Sequence, residues 1–242
     1  MFIILGIFSL VVVVAFLVVY LCVEKLLYNF PKKDSKFKPS DWGLSYSNIY
    51  LKTKDAALLH GWEILHSDKA PTLVFFHGIS GSVSLRCHTI NLLHKELEVN
   101  LVIVDYRGYG QSRGSPSEKS ILLDAEAIMQ YVRSNPKLNK RVFLMGRSFG
   151  GAVATYCASK YQCRGLILEN TFTSIPDVLV SKHLKWLTWL VHRNKWNSLE
   201  RIQKVECPVL FISATKDGLV PPSHMRSLWR ASCSETTFVK FT

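Results

Sequence analysis

Apolar positions follow two regimes along the chain. Residues 2–23, FIILGIFSLVVVVAFLVVYLCV, run without a charge, enough at about 1.5 Å per residue to cross a hydrocarbon core of about 30 Å. Beyond about Asp41, short runs of Val, Ile, Leu and Phe alternate with helix-length stretches. This pattern predicts strands over 47–52 and 58–65 joined by a turn at Lys54 and Asp55. Strand 72–77, helix 85–97, strand 101–106 and helix 118–133 come next, then strand 141–145, helix 149–161 and strand 165–169. Short apolar strands separated by helices pack as a mostly parallel sheet with helices on both faces. A basic, Trp-containing insertion at about 171–204 breaks the rhythm, which resumes with strand 208–213, helix 222–229 and strand 236–241. The fold class is α/β.

The leading run reads as a single transmembrane anchor over residues 1–23. Its rival is a cleaved signal peptide, but no Lys or Arg precedes the run, it exceeds a usual h-region, and no small-x-small site follows. Residues 24–45 read as a basic juxtamembrane linker, with Lys25, Lys32, Lys33, Lys36 and Lys38 opposed by Glu24 and Asp34. That bias holds the globular part in the cytoplasm by the positive-inside rule. The lack of any N-x-S/T acceptor agrees, as do five cysteines outside the run (Cys87, Cys157, Cys163, Cys207 and Cys233) with no framework spacing. Cys22 is either an ordinary anchor residue or a palmitoylation site.

Composition narrows the function classes. The 242 residues suit one large domain with an appendage, and 48% apolar content with 12% aromatic residues excludes disorder. The formal charge of +12 is dispersed and accompanies no base-reading motif, which argues against nucleic acid. Anionic lipid of the bilayer beside the anchor is the better partner.

Candidate chemistry concentrates in Gly146-Arg147-Ser148-Phe149-Gly150-Gly151, where the strand VFLM ends and a helix begins. This spacing fits a nucleophile elbow: Ser148 on a tight strand-to-helix turn, with Gly146 and Gly150 where a β-carbon would meet backbone. The following helix aims its N-terminus at the serine, favouring an oxyanion. A second element, His77-Gly78-Ile79-Ser80-Gly81, follows the strand TLVFF. Its loop and the elbow assign the oxyanion donors to the backbone N–H groups of Phe149 and Ile79. His77, within the loop that shapes the hole, reads as a structural imidazole. Asp105 to Gly110 and Ser112 read as a structural turn beside the pocket. No metal or organic cofactor is expected.

Together these features resemble the α/β-hydrolase superfamily over about residues 46–242. Asp105-Tyr106-Arg107-Gly108-Tyr109-Gly110, GRSFGGAVA from Gly146, and Glu169-Asn170-Thr171-Phe172-Thr173-Ser174-Ile175-Pro176 are similar to the membrane-anchored subgroup around α/β-hydrolase domain-containing protein 13. The resemblance implies an α/β-hydrolase fold with a lid or cap insertion. It also implies a serine hydrolase cleaving an ester or thioester of a lipid or acylated substrate through an acyl-serine intermediate. In this fold the acid follows the nucleophile, which indicates Asp217 after the strand VLFIS, with Glu169 in reserve. The base is expected in the loop after the strand 237–241, so the catalytic histidine and a closing helix are expected beyond Thr242. His183, His192 and His224 are poor substitutes by position. A catalytically inactive membrane-tethered binding or scaffold protein is the alternative. Within the insertion, Lys182 to Arg193 mixes aromatic and basic residues, fitting either an interfacial lid helix or a packed cap.

Overall fold

The structure is a computed structural model that describes residues 11, 14, 18, 19, 23–28 and 37–242. Most of the apolar run lies outside the described residues, and among the described residues no helix is long and apolar enough to cross a membrane. The strands are β1 (Ser47–Lys52), β2 (Leu58–Ile64), β3 (Thr72–Phe76), β4 (Asn100–Val104), β5 (Val142–Arg147), β6 (Gly165–Glu169), β7 (Val209–Ala214) and β8 (Thr236–Phe241). They form one sheet in the order β1-β2-β4-β3-β5-β6-β7-β8. β2 pairs antiparallel with both β1 and β4, and every other pairing is parallel.

Between the strands lie α1 (Cys87–Leu97), α2 (Glu118–Ser134), α3 (Phe149–Lys160), α4 (Ile175–Ser181), α5 (Ser198–Ile202) and α6 (Pro222–Ala231). Two separate apolar clusters show that helices pack on both sheet faces, the second of them over only part of the sheet. One joins Val74, Val102 and Leu144 to residues of α2, α3 and α6, and the other joins Leu73, Phe75 and Leu101 to Ile90 of α1. β3, β4 and β5 lie in the middle of the sheet, which explains why their runs lack the alternation of a half-exposed strand. The second face is open over β5–β8, where Phe143, Ile167 and Leu210 line a groove of about 310 Å³.

Helix α3 is the most deeply set, with Ala152, Val153, Ala154 and Cys157 all at 0% exposure. Small side chains let it approach the sheet directly beneath the elbow. Helix α2 starts at Ser117, whose hydroxyl accepts the Ser120 N–H at 3.2 Å. The insertion is a cap of short pieces. Its stretch 182–193 turns at His183 (φ 61°) and then forms a 3-10 segment, Lys185–Val191, in place of the interfacial α-helix considered from the sequence. In a 3-10 segment residues i and i+3 eclipse. Trp186 and Trp189 therefore share one exposed edge while Leu190 and Val191 are buried.

Candidate active site

Ser148 occupies the single residue between β5 and α3, with φ 52° and ψ −120°. A non-glycine residue in that region costs about 1–3 kcal/mol and persists only where its surroundings fix it. Three bonds do so: the Ser148 N–H donates to Glu169 O at 2.8 Å, and its carbonyl accepts from the Gly151 N–H at 2.9 Å and from Thr171 Oγ1 at 2.7 Å. The side chain is held half-buried at the C-terminal end of the central strands. Both glycines are required by close approach. A β-carbon on Gly146 would stand 2.3 Å from Gly150 O, and one on Gly150 would stand 1.9 Å from Phe76 O.

The loop after β3 abuts the elbow. A β-carbon built on Gly78 would lie 3.9 Å from Ser148 Cβ and 3.6 Å from Arg147 O, so this loop runs beside Ser148. Phe149, the first residue of α3, has an N–H with no acceptor one turn earlier in its own helix. The helix N-terminus and this loop thus converge on Ser148, an arrangement that can stabilise a developing oxyanion.

His77 is fully buried, with Nδ1 2.8 Å from Gly78 O and its ring stacked on Tyr106 at 4.4 Å between centroids. Burial holds its pKa down at about 3. The imidazole is therefore neutral at pH 7, and Nδ1–H is the donor to Gly78 O. Tyr106 donates to His77 O at 3.0 Å, bracing the same loop. Tyr106 sits in the turn that follows β4, which Arg107 locks in place. Its guanidinium bonds Asp124 Oδ1 through Nε at 2.8 Å and Asp55 Oδ2 through Nη1 at 2.6 Å.

Asp217 lies in the loop after β7, where its Oδ1 accepts the N–H groups of Leu219 at 2.8 Å and Val220 at 2.9 Å. Glu169 ends β6 and pairs with Arg147 at 3.3 Å. Among the described residues no histidine nitrogen is hydrogen-bonded to Ser148 or Asp217. His224 is buried under the cap, its Nδ1 2.9 Å from Thr173 Oγ1, and burial lowers its pKa. His183 and His192 are exposed on the cap.

Residues 170–174 brace the site through side-chain bonds to backbone and to His224. Asn170 adopts φ 46° and its Oδ1 accepts the Ala214 N–H at 2.7 Å, tying the end of β6 to the end of β7. Thr171 holds the elbow carbonyl, Thr173 engages His224, and Ser174 caps α4 by accepting the Asp177 N–H at 3.1 Å. A run of Asn, Thr and Ser at a strand end is the available signal for such side-chain-to-backbone bonding.

The profile of the family described as Serine aminopeptidase, S33 matches residues 67–199. Among curated proteins, the chain is 32% identical over 243 aligned residues to alpha/beta hydrolase domain-containing protein WAV2 of Arabidopsis thaliana, covering 90% of this chain and 79% of that protein. It is 38% identical to membrane protein YNL320W of Saccharomyces cerevisiae, covering 79% of this chain and 69% of that one. Among solved structures, the Pyrococcus furiosus esterase Pf2001 superposes with a TM-score of 0.72 at 21% identity, covering 87% of this chain and 88% of that one. The last likeness shows the fold alone. The family profile and the Arabidopsis relative together establish that the chain belongs to the α/β-hydrolase superfamily, among the α/β-hydrolase domain-containing proteins.

Proposed function

We propose that the protein is a membrane-anchored serine hydrolase that cleaves an ester or thioester of a lipid or acylated substrate. The observation that carries this reading is the strained elbow at Ser148 (φ 52°) packed against the loop at Gly78. Ser148 Oγ attacks the acyl carbon, and the N–H groups of Phe149 and Ile79 receive the oxyanion. Each such donor contributes about 3–4 kcal/mol to a transition state of this kind. The leaving alcohol or thiol takes a proton from the base, and water then hydrolyses the acyl-serine.

Asp217 is the proposed acid; among the described residues no histidine is bonded to it or to Ser148, and no base is assigned. The ends of β7 and β8 lie side by side, with the Thr215 N–H bonded to Phe241 O at 2.8 Å. Without a base, Ser148 remains a weak nucleophile.

Membrane attachment through residues 1–23, with the catalytic domain in the cytoplasm, is part of the proposal. It is supported by the uncharged run, the lysines that follow it, and the likeness to a yeast membrane protein. Exposed Trp186 and Trp189 beside Lys182 and Lys185 suit contact with a lipid interface. Protease protection in sealed vesicles tests the topology.

The alternative, a tethered binding protein that keeps the fold without turnover, draws on the lack of a histidine bonded to Ser148 among the described residues. Fluorophosphonate labelling of the full-length protein separates the two readings. Labelling abolished by Ser148→Ala supports the hydrolase. Labelling that survives the substitution refutes the nucleophile assignment, and no labelling of the wild type favours the binding protein.

A further inference from the structure

Residues 23–28, from the last residue of the apolar run onward, are helical, and the Val23 and Tyr28 side chains are buried against the hydrolase domain. Tyr28 is 4% exposed, although it is 18 residues upstream of the predicted domain boundary at 46. Its ring meets Phe149 edge-on at 5.9 Å between centroids, and Phe149 in turn packs on Trp196 at 4.7 Å. The Tyr28 hydroxyl accepts the Trp196 Nε1–H at 2.8 Å and donates to Asn194 Oδ1 at 2.9 Å. Asn194, itself fully buried, donates through Nδ2 to Glu24 at 3.3 Å and accepts the Glu118 N–H at the start of α2 at 2.9 Å. Val23 packs on Leu190 and Val191 of the cap.

We infer that Tyr28 is a positioning residue of the active site: its ring fixes the Phe149 side chain, and through it the Phe149 N–H beside Ser148. This inference rests on the serine-hydrolase reading above and deepens it. The physical basis is packing. The Phe149 ring is enclosed by Tyr28, Tyr106 and Trp196, each meeting it at a steep angle. Removing one of three walls leaves a cavity into which the Phe149 ring can turn, and its backbone moves with it. An oxyanion donor displaced by about 1 Å loses most of its effect on the transition state. The hydroxyl ties this wall to the cap and to α2, so the segment leaving the apolar run also clamps the cap over the elbow.

The test uses the full-length protein in lipid nanodiscs, comparing wild type, Tyr28→Phe and Tyr28→Ala. Turnover of p-nitrophenyl butyrate per titrated active site is measured together with inhibition by phenylboronic acid, which forms a tetrahedral adduct on the serine. The expected result is that Tyr28→Ala lowers kcat 10- to 100-fold, leaves KM within threefold and weakens boronate binding in proportion to kcat. Tyr28→Phe, which keeps the ring, stays within threefold of wild type in kcat. A tyrosine that only supports folding would reduce the number of titratable sites and leave kcat per site unchanged. Values within twofold of wild type for Tyr28→Ala overturn the inference. Hydrogen exchange of the peptide covering 148–156 is recorded in parallel. If the wild type turns over no ester, the hydrolase reading fails, and exchange alone decides the inference. A tenfold loss of protection in Tyr28→Ala, restored in Tyr28→Phe, supports it, and unchanged protection overturns it.

Discussion

Gly150→Ala is the most direct perturbation of the elbow. An added β-carbon would stand 1.9 Å from Phe76 O and 2.6 Å from His77 O, and ordinary contact begins near 3.4 Å. Both obstacles are backbone, so no side-chain rotamer can relieve them. Helix α3 and the end of β3 must part by about 1.5 Å, an overpacking strain of about 1–3 kcal/mol or more. The Phe149 N–H rides on one of the separating bodies and the Ile79 N–H on the other, so the gap between the proposed oxyanion donors widens. Loss of one donor lowers kcat about 10²- to 10³-fold. Urea unfolding and ester turnover per titrated site measure the two effects. Gly218→Ala is the control for stability, because a β-carbon there meets nothing within 4 Å. Equal unfolding midpoints for the two variants, with wild-type turnover in Gly150→Ala, would refute the reasoning from close approach.

Other outcomes follow from the same structure. Arg107→Ala strands the Asp124 carboxyl, whose side chain is 0% exposed, and is expected to cost about 3–5 kcal/mol, or about 6–20 °C in melting temperature. Burial already raises the Asp124 pKa, and without the guanidinium it rises further, so this loss grows as pH increases through the folded pKa; melts at pH 5 and pH 8 check the sign. His77, with its pKa near 3, makes the folded state refuse a proton that the unfolded chain accepts below pH 6.5. Stability should therefore fall by about 1.4 kcal/mol per pH unit from this group as pH drops from 6.5 towards 3. His77→Gln should flatten that slope in denaturant titrations between pH 6.5 and 4.5. Asp217→Ala is expected to lower kcat about 10⁴-fold while costing only about 1 kcal/mol for the two lost loop bonds. A kcat within tenfold of wild type would shift the acid role to Glu169, tested by Glu169→Gln.

Much of this protein follows from its sequence alone, because the signals are local. Apolar runs and their spacing set the strands, and the positions of Gly146, Ser148 and Gly150 set the elbow, since backbone close approach admits no side chain at those glycines. The fold class and the strand-to-helix turn at Ser148 are legible for that reason. Three features depend on residues far apart in the chain. The cap stretch 182–193 carries the composition of an interfacial helix, yet burial of the adjacent Leu190 and Val191 against Val23 selects a 3-10 segment. His224, seven residues after Asp217, is drawn under the cap by Thr173, a partner 51 residues earlier. Tyr28, within a stretch that reads as a basic linker, becomes a wall of the core because Phe149, Asn194 and Trp196 converge on it. Sequence periodicity reports which face of an element is apolar. Which distant surface covers that face is decided only when the tertiary contacts close and the cost of leaving polar groups unpaired is settled across the whole molecule.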